Sequence, residues 1–172
     1  MNFSIDKSIE ILAATPLVLQ SYLAHLSDGW LNGNEGDNTW SPYQVVEHLV
    51  TAEKTNWIPR IEIILSDSEI RAFNVFKRME EDASPKSISE ILSDFSRLRA
   101  QNIVILKSKN LTGEDFEKTA IHPEFGEVKL SQLIATWTAH DLSHIAQISR
   151  VMAKQYKDAI GPWVAYLPIM GA

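Results

Sequence analysis

No cysteine occurs among the 172 residues, which excludes disulfides, thiolate metal ligands and a cysteine nucleophile in this chain. Any thiol chemistry here would need a thiol from outside. Positive charge is also in short supply: 16 Lys and Arg stand against 22 Asp and Glu, for a formal net charge of -6. The cations form no cluster, so the electrostatic footprint of nucleic-acid or anionic-membrane binding is missing. Small molecules or proteins are the expected partners. No apolar stretch approaches the ~20 residues of a membrane span. The start, Met1-Asn2-Phe3-Ser4-Ile5-Asp6-Lys7, lacks the basic residues and apolar run of a secretory leader. A cytoplasmic location is expected. Repeats at the ~20–50 residue periods of solenoids are absent, as are low-complexity tracts. With 45% hydrophobic residues, a chain of this length is expected to form a single domain over residues 1–172 with one core.

What is present is helical periodicity. Ile5, Ile9, Leu12, Pro16, Leu19, Leu23 and Leu26 repeat at three- and four-residue intervals, and Pro16 is expected to bend this first helix. A second helix is announced at Ser41-Pro42-Tyr43-Gln44 by an N-cap serine, a proline at the first helical position and a capping-box glutamine. Ser87 with Glu90 opens a third, carrying Ile88, Ile91, Leu92, Phe95, Leu98, Ile105 and Leu106. The fourth runs from about Leu130 to Lys154, with Leu130, Leu133, Ile134, Trp137, Ile145, Ile148, Val151 and Met152 on one arc. These predict an all-α chain, a four-helix bundle with one long crossover.

The connectors differ in character. Asp28 to Thr39 is rich in Gly, Asn and Asp and reads as a loop. Over 59–84 the apolar Ile61, Ile63, Ile64, Leu65, Phe73, Val75 and Phe76 imply that the second helix runs past Pro59 before a looser crossover. In 110–129, His122-Pro123-Glu124-Phe125-Gly126 reads as a turn, with a short hairpin as one reading. The apolar run Gly161-Pro162-Trp163-Val164-Ala165-Tyr166-Leu167-Pro168-Ile169-Met170 cannot be one helix, because prolines punctuate it. It should pack, by closing the bundle, walling a pocket or covering a second subunit.

Chemistry concentrates in His140-Asp141-Leu142-Ser143-His144. On a helix, residues four apart differ by roughly 40° in direction and about 6 Å in rise, so both imidazoles look the same way. They share an arc with Leu133, Trp137 and Ile148, where unpartnered imidazoles would lose hydration. A metal, a buried carboxylate or a water cluster would satisfy them. His48, at the edge of the arc of Val45, Val46, Leu49, Ala52 and Trp57, can supply a third nitrogen from a facing helix. Three imidazoles with an open position are what a catalytic metal needs. The segment is not the HExxH motif of zinc proteases, because Asp141 stands where that motif has its glutamate.

Asp141 near the arc's centre needs a partner: it either orients a ligating imidazole or bound water, or pairs with Arg97, Arg99 or a helix-end amide. Glu53 lies roughly 140° around the second helix from His48, which favours structural pairing. His122, in a turn, is expected to be solvated, and His25, at the end of the first helix, to complement its dipole; neither is taken as a ligand.

These residues resemble the DinB-like superfamily, four-helix bundles that include S-transferases dependent on low-molecular-weight thiols. The matching pieces are Thr15-Pro16, Trp40-Ser41-Pro42, Glu47-His48-Leu49 with Glu53, Phe95 with Arg99, His122-Pro123-Glu124-Phe125-Gly126, Leu130 and His140-Asp141-Leu142-Ser143-His144-Ile145-Ala146-Gln147-Ile148. The resemblance covers nearly the whole chain. It implies a metal triad of His48, His140 and His144, and it favours a homodimer. The expected cofactor is a divalent transition metal, nickel or zinc, because three imidazoles suit both. Its affinity should fall as pH drops through about 6.5, where free imidazoles protonate. The leading expectation is a metal-dependent enzyme acting on a small molecule, of thiol S-transferase type. A metal-dependent hydrolase is the alternative within enzymes, and a non-catalytic metal-binding or stress-response protein is the alternative outside them.

Overall fold

The structure, a computed structural model, describes residues 2–79 and 86–171. Four long helical arms form a bundle: α1 (Ile5–Leu23), α3 (Pro42–Thr55) continued by α4 (Trp57–Leu65), α5 (Ile88–Ser108) and α6 (Leu130–Lys154). The start signals read in the sequence are made in full at α3 and α5, where Ser41 with Gln44 and Ser87 with Glu90 each close both bonds of a capping box. α1 runs through Pro16 as one helix.

Two connectors depart from expectation. Within the stretch read as a loop lies α2, Asp28–Asn32. Its cause is tertiary: Leu31, 3% exposed, belongs to the same apolar cluster as Leu19, Leu23 and Val45. Trp30 meets Tyr156 edge-on at 5.0 Å. Those anchors outweigh a turn-rich composition. The second helix does not run straight past Pro59 but breaks at Asn56 and restarts. In an unbroken helix, Pro59 would clash with the Thr55 carbonyl; the break puts it in the first turn of α4, where its missing N–H has no bond to lose.

The crossover between α4 and α5 spans 66–87, of which 80–85 lie outside the described residues. A hairpin follows α5, with β1 (Thr119–His122) antiparallel to β2 (Gly126–Lys129) and His122 paired with Gly126. Gly126, at φ 72°, takes the left-handed conformation that closes the turn. The crossover joins this hairpin as a parallel bridge at Ala72, with the Ile121 N–H donating to the Arg71 carbonyl at 2.8 Å and the Phe73 N–H donating to the Ile121 carbonyl at 2.9 Å. Hairpin and crossover thus sit together over one end of the bundle, and α6 starts directly from β2.

The core is two apolar clusters separated by a polar layer. Leu12, Trp57, Ile103 and Trp137 belong to one, and Leu19, Val50, Phe95 and Ile148 to the other. Between them stand Glu53, Arg99, Asn102 and Asp141, all buried. The C-terminal run is not one helix: it forms 3-10 turns at Gly161–Tyr166 and Pro168–Met170, each with a proline at its first or second position. The expectation that it packs is met only at its end, where Pro168–Met170 lies against α6, while Trp163 is 67% and Tyr166 79% exposed. Turns this short present no continuous apolar stripe to a bundle whose core is already filled.

Candidate metal centre

α3 carries His48 into the bundle from one side and α6 carries His140 and His144 from the other. His140 Nε2 lies 3.0 Å from His48 Nε2 and 3.1 Å from His144 Nε2. The three residues are the group of potential ligands found among the described residues, with ligand atoms all within 4.8 Å of one another. His48 is 4% exposed and the other two are partly buried. Aromatic rings enclose them: Trp40 lies 4.8 Å from His48, Phe76 meets His48 edge-on at 5.7 Å, and Trp57 meets His140 edge-on at 5.1 Å.

The outer nitrogens fix the tautomers. His48 Nδ1 donates to the Arg78 carbonyl at 2.8 Å, and His144 Nδ1 donates to Gln147 Oε1 at 2.8 Å. Each therefore turns a bare Nε2 lone pair inward. A proton on His140 Nε2 can serve one of those two lone pairs but not both, and His140 Nδ1 is buried with no partner among the described residues. A cation serves all three nitrogens at once, so the donor set fits a divalent ion. Burial holds His48 down at about 4 and His140 down at about 3, with neighbouring imidazoles adding to the effect. Burial lowers His144 as well. All three are thus neutral at neutral pH, as metal ligands must be.

The triad forms part of the wall of an open cavity of about 750 Å³. The same wall includes Trp40, Trp57, Phe73, Phe76, Arg60 and His122, and none of the C-terminal run. An open cavity beside three imidazoles leaves room for water or substrate at the ion's remaining positions.

The other sequence candidates fall elsewhere. Asp141 is fully buried and bound to Arg99, whose Nη1 and Nη2 donate to its two oxygens at 2.5 and 2.9 Å. Of the two readings of Asp141, the geometry supplies the salt bridge to Arg99; no hydrogen bond joins its carboxylate to a triad imidazole among the described residues. Glu53 is paired structurally, accepting from Arg99 Nη2 at 2.8 Å, Trp137 Nε1 at 2.9 Å and Asn102 Nδ2 at 2.9 Å. His25 is exposed. His122 stacks on Phe125 at 4.5 Å and stands on the cavity wall, outside the triad. Sequence reading missed Gln147 and the Arg78 carbonyl. The first could have been found, since it lies three residues beyond His144 on the same helix. The second could not, because a backbone carbonyl leaves no mark in residue type.

A family model described as the DinB superfamily matches residues 11–148. The chain belongs to the DinB superfamily. Proteins similar to it include ones named "Putative metal-dependent hydrolase". One, from Bacillus mycoides strain KBAB4, is 28% identical over 149 residues, covering 84% of this chain and 83% of the relative. Another, from Bacillus cereus strain 03BB102, is 29% identical over 147 residues with the same coverage. Among solved structures, this DinB-superfamily bundle is similar to YfiT from Bacillus subtilis, described as "a probable metal-dependent hydrolase with an unusual four-helix bundle topology". The TM-score is 0.73 at 20% identity, over 88% of this chain and 87% of YfiT. TT2238, a four-helix bundle protein, matches at a TM-score of 0.55 and 19% identity, over 87% of this chain and 99% of that one.

Proposed function

We propose that this DinB-superfamily protein is a divalent-metal-dependent enzyme acting on a small molecule, and that its reaction is hydrolysis. The observation that carries the reading is the convergence of three Nε2 atoms, two with fixed inward lone pairs, on the wall of an open cavity. His48, His140 and His144 would hold nickel or zinc, and the ion, when bound, supplies Lewis acidity and lowers the pKa of a bound nucleophile toward neutrality. The chain's own contribution is to keep the three imidazoles neutral by burial, aim two of them through Arg78 and Gln147, and shield the site with Trp40, Trp57 and Phe76. The names of the Bacillus relatives favour hydrolysis.

Thiol S-transfer is the second reading. The absence of cysteine would make the thiol an external, low-molecular-weight one, and the cavity has room for it beside an electrophile. A purely structural metal is disfavoured by the same cavity, because structural sites are closed. Location in the cytoplasm belongs to this proposal; among the described residues no helix is long and apolar enough to cross a membrane.

Protein purified without a polyhistidine tag is expected to hold about one divalent metal per chain, measured by elemental analysis, and His48→Ala should lose it. Full retention in that variant rules out the triad. Turnover of ester and amide substrates that disappears in His140→Ala supports hydrolysis. Turnover confined to a panel of thiols with electrophiles supports transfer instead, and a cobalt-substituted site closed to azide and thiols would end the enzyme reading.

A further inference from the structure

One part of the cavity wall is furnished for an anion. Arg60 is half-buried on α4 with its guanidinium carbon 4.8 Å over the Phe73 ring. Its polar contact is Nη2 donating to the Asn74 carbonyl at 3.3 Å. No carboxylate pairs with it among the described residues, in contrast to Arg99 and Arg150. His122 meets the same ring edge to face at 6.2 Å and is close enough to Arg60 to feel its charge. Its Nδ1 accepts the Glu124 N–H at 3.1 Å and the Phe125 N–H at 3.4 Å, so the proton of the neutral ring is on Nε2. Burial, with Arg60 nearby, holds this histidine below its usual range. Arg60 and His122 therefore offer donors only.

A third group lies closer to the triad. Asn56, 6% exposed at the break between α3 and α4, lines the cavity, and its Oδ1 is buried without a hydrogen-bond partner among the described residues. So enclosed an oxygen is out of reach of a molecule in the cavity, and Asn56 contributes to the wall without contacting a ligand through Oδ1. Asn56, Trp57 and Arg60 fall within one turn of helix, and the Trp57 ring is 5.1 Å from the His140 ring. An anion at Arg60 thus stands on the order of 5–10 Å from the imidazoles, the length of a small molecule. The carboxylates on the wall do not fill this place: Glu35 is engaged by Arg150 at 2.8 Å and Lys154 at 3.0 Å, and Glu124 is exposed in the hairpin turn.

We propose that the substrate is a small carboxylic acid carrying a hydrolysable acyl group, as N-acyl amino acids do, with its carboxylate on Arg60 and His122 Nε2. The class rests on the hydrolase reading above: the acyl carbonyl faces the triad, water adds across the amide, the C–N bond breaks, and a carboxylic acid and an amine leave. One guanidinium with one neutral imidazole suits a monoanion better than a dianionic phosphate. Apolar substituents meet Phe73 and Trp57.

N-acetylphenylalanine, its carboxamide and its phosphonate analogue are titrated by calorimetry into metal-loaded and metal-free wild-type protein, Arg60→Gln and Arg60→Lys. The acid should bind both metal forms of the wild type. Arg60→Gln should weaken it about tenfold or more, about 1.4 kcal/mol, and Arg60→Lys should restore part of the loss. The carboxamide should bind wild type as poorly as the acid binds Arg60→Gln. The comparison of acid with carboxamide needs no variant, so a misfolded Arg60→Gln leaves the test intact. Equal binding of acid and carboxamide, unchanged binding by Arg60→Gln, tighter binding of the phosphonate, or no saturable binding of the acid overturns the proposal. Arg60-dependent binding of the acid by a wild-type chain that takes up no divalent metal when it is offered would sustain the anion site while defeating the hydrolase reading.

Discussion

At the scale of single residues, the histidines divide by what their outer nitrogens do. His48 and His144 spend Nδ1 on a carbonyl and an amide oxygen, which leaves Nε2 for a ligand, whereas His122 spends Nδ1 on two backbone N–H groups and keeps Nε2–H as a donor. Identical side chains thus become acceptor or donor toward the cavity through the partner that each outer nitrogen takes. The pH dependence follows from burial. In the unfolded chain each imidazole takes up a proton near pH 6.5, while in the folded, metal-free chain His48 is pushed down to about 4 and His140 to about 3. Between those values the unfolded state binds more protons, so stability is whole above about 6.5 and falls as pH drops toward 3. The thermal midpoint of metal-free protein should decline steadily from pH 7 to 4, and less so in His48→Ala; a flat midpoint contradicts burial of neutral imidazoles. Metal release should also centre below 6.5, lower than ordinary imidazoles would give.

At the scale of elements, one side chain fastens the four arms together. Pro16 cannot donate the helical bond to the Leu12 carbonyl, and Arg99 Nη1 on α5 fills that place at 2.8 Å. The same guanidinium pairs with Glu53 on α3 and Asp141 on α6, and lies over the Phe95 and Trp137 rings at 4.9 and 5.3 Å. Asp141 is next in sequence to His140 and Glu53 five residues past His48, so the layer also sets the rotation of the two helices that bear the triad. Arg99→Ala leaves two buried carboxylates without their cation and should cost about 3–5 kcal/mol in chemical denaturation. Adding Asp141→Asn should recover part of that loss, and no recovery would argue against charge as the cause.

At the scale of the whole molecule, the C-terminal run is the surface left unexplained by the bundle. Trp163, Val164, Tyr166 and Leu167 are each at least 40% exposed within one short segment, which marks an interaction surface. We propose that a second copy of the chain covers it. Sedimentation should find a dimer at micromolar concentration, and Trp163→Asp should shift it toward monomer while leaving metal content unchanged. A monomeric wild type would refute the pairing.

The sequence by itself determined the helices, their capped starts at Ser41 and Ser87, and the histidine pair on α6, because each is a local matter of period and spacing. It also placed His48 on the inward edge of its helix. The triad resemblance was visible in residue type for the same reason. What only the tertiary structure decided was which polar groups meet. Asp141 beside His140 reads equally well as orienting an imidazole or pairing with an arginine; the rotation of α5 against α6 brings Arg99 to it. The α2 helix depended on a place for Leu31 in the core, and the break at Asn56 on accommodating Pro59. The Arg60, His122 and Asn56 wall is drawn from a helix end, a hairpin and a helix break far apart in the chain. Local pattern fixes direction along one element, but distance between elements is set by packing, and a site is made of such distances.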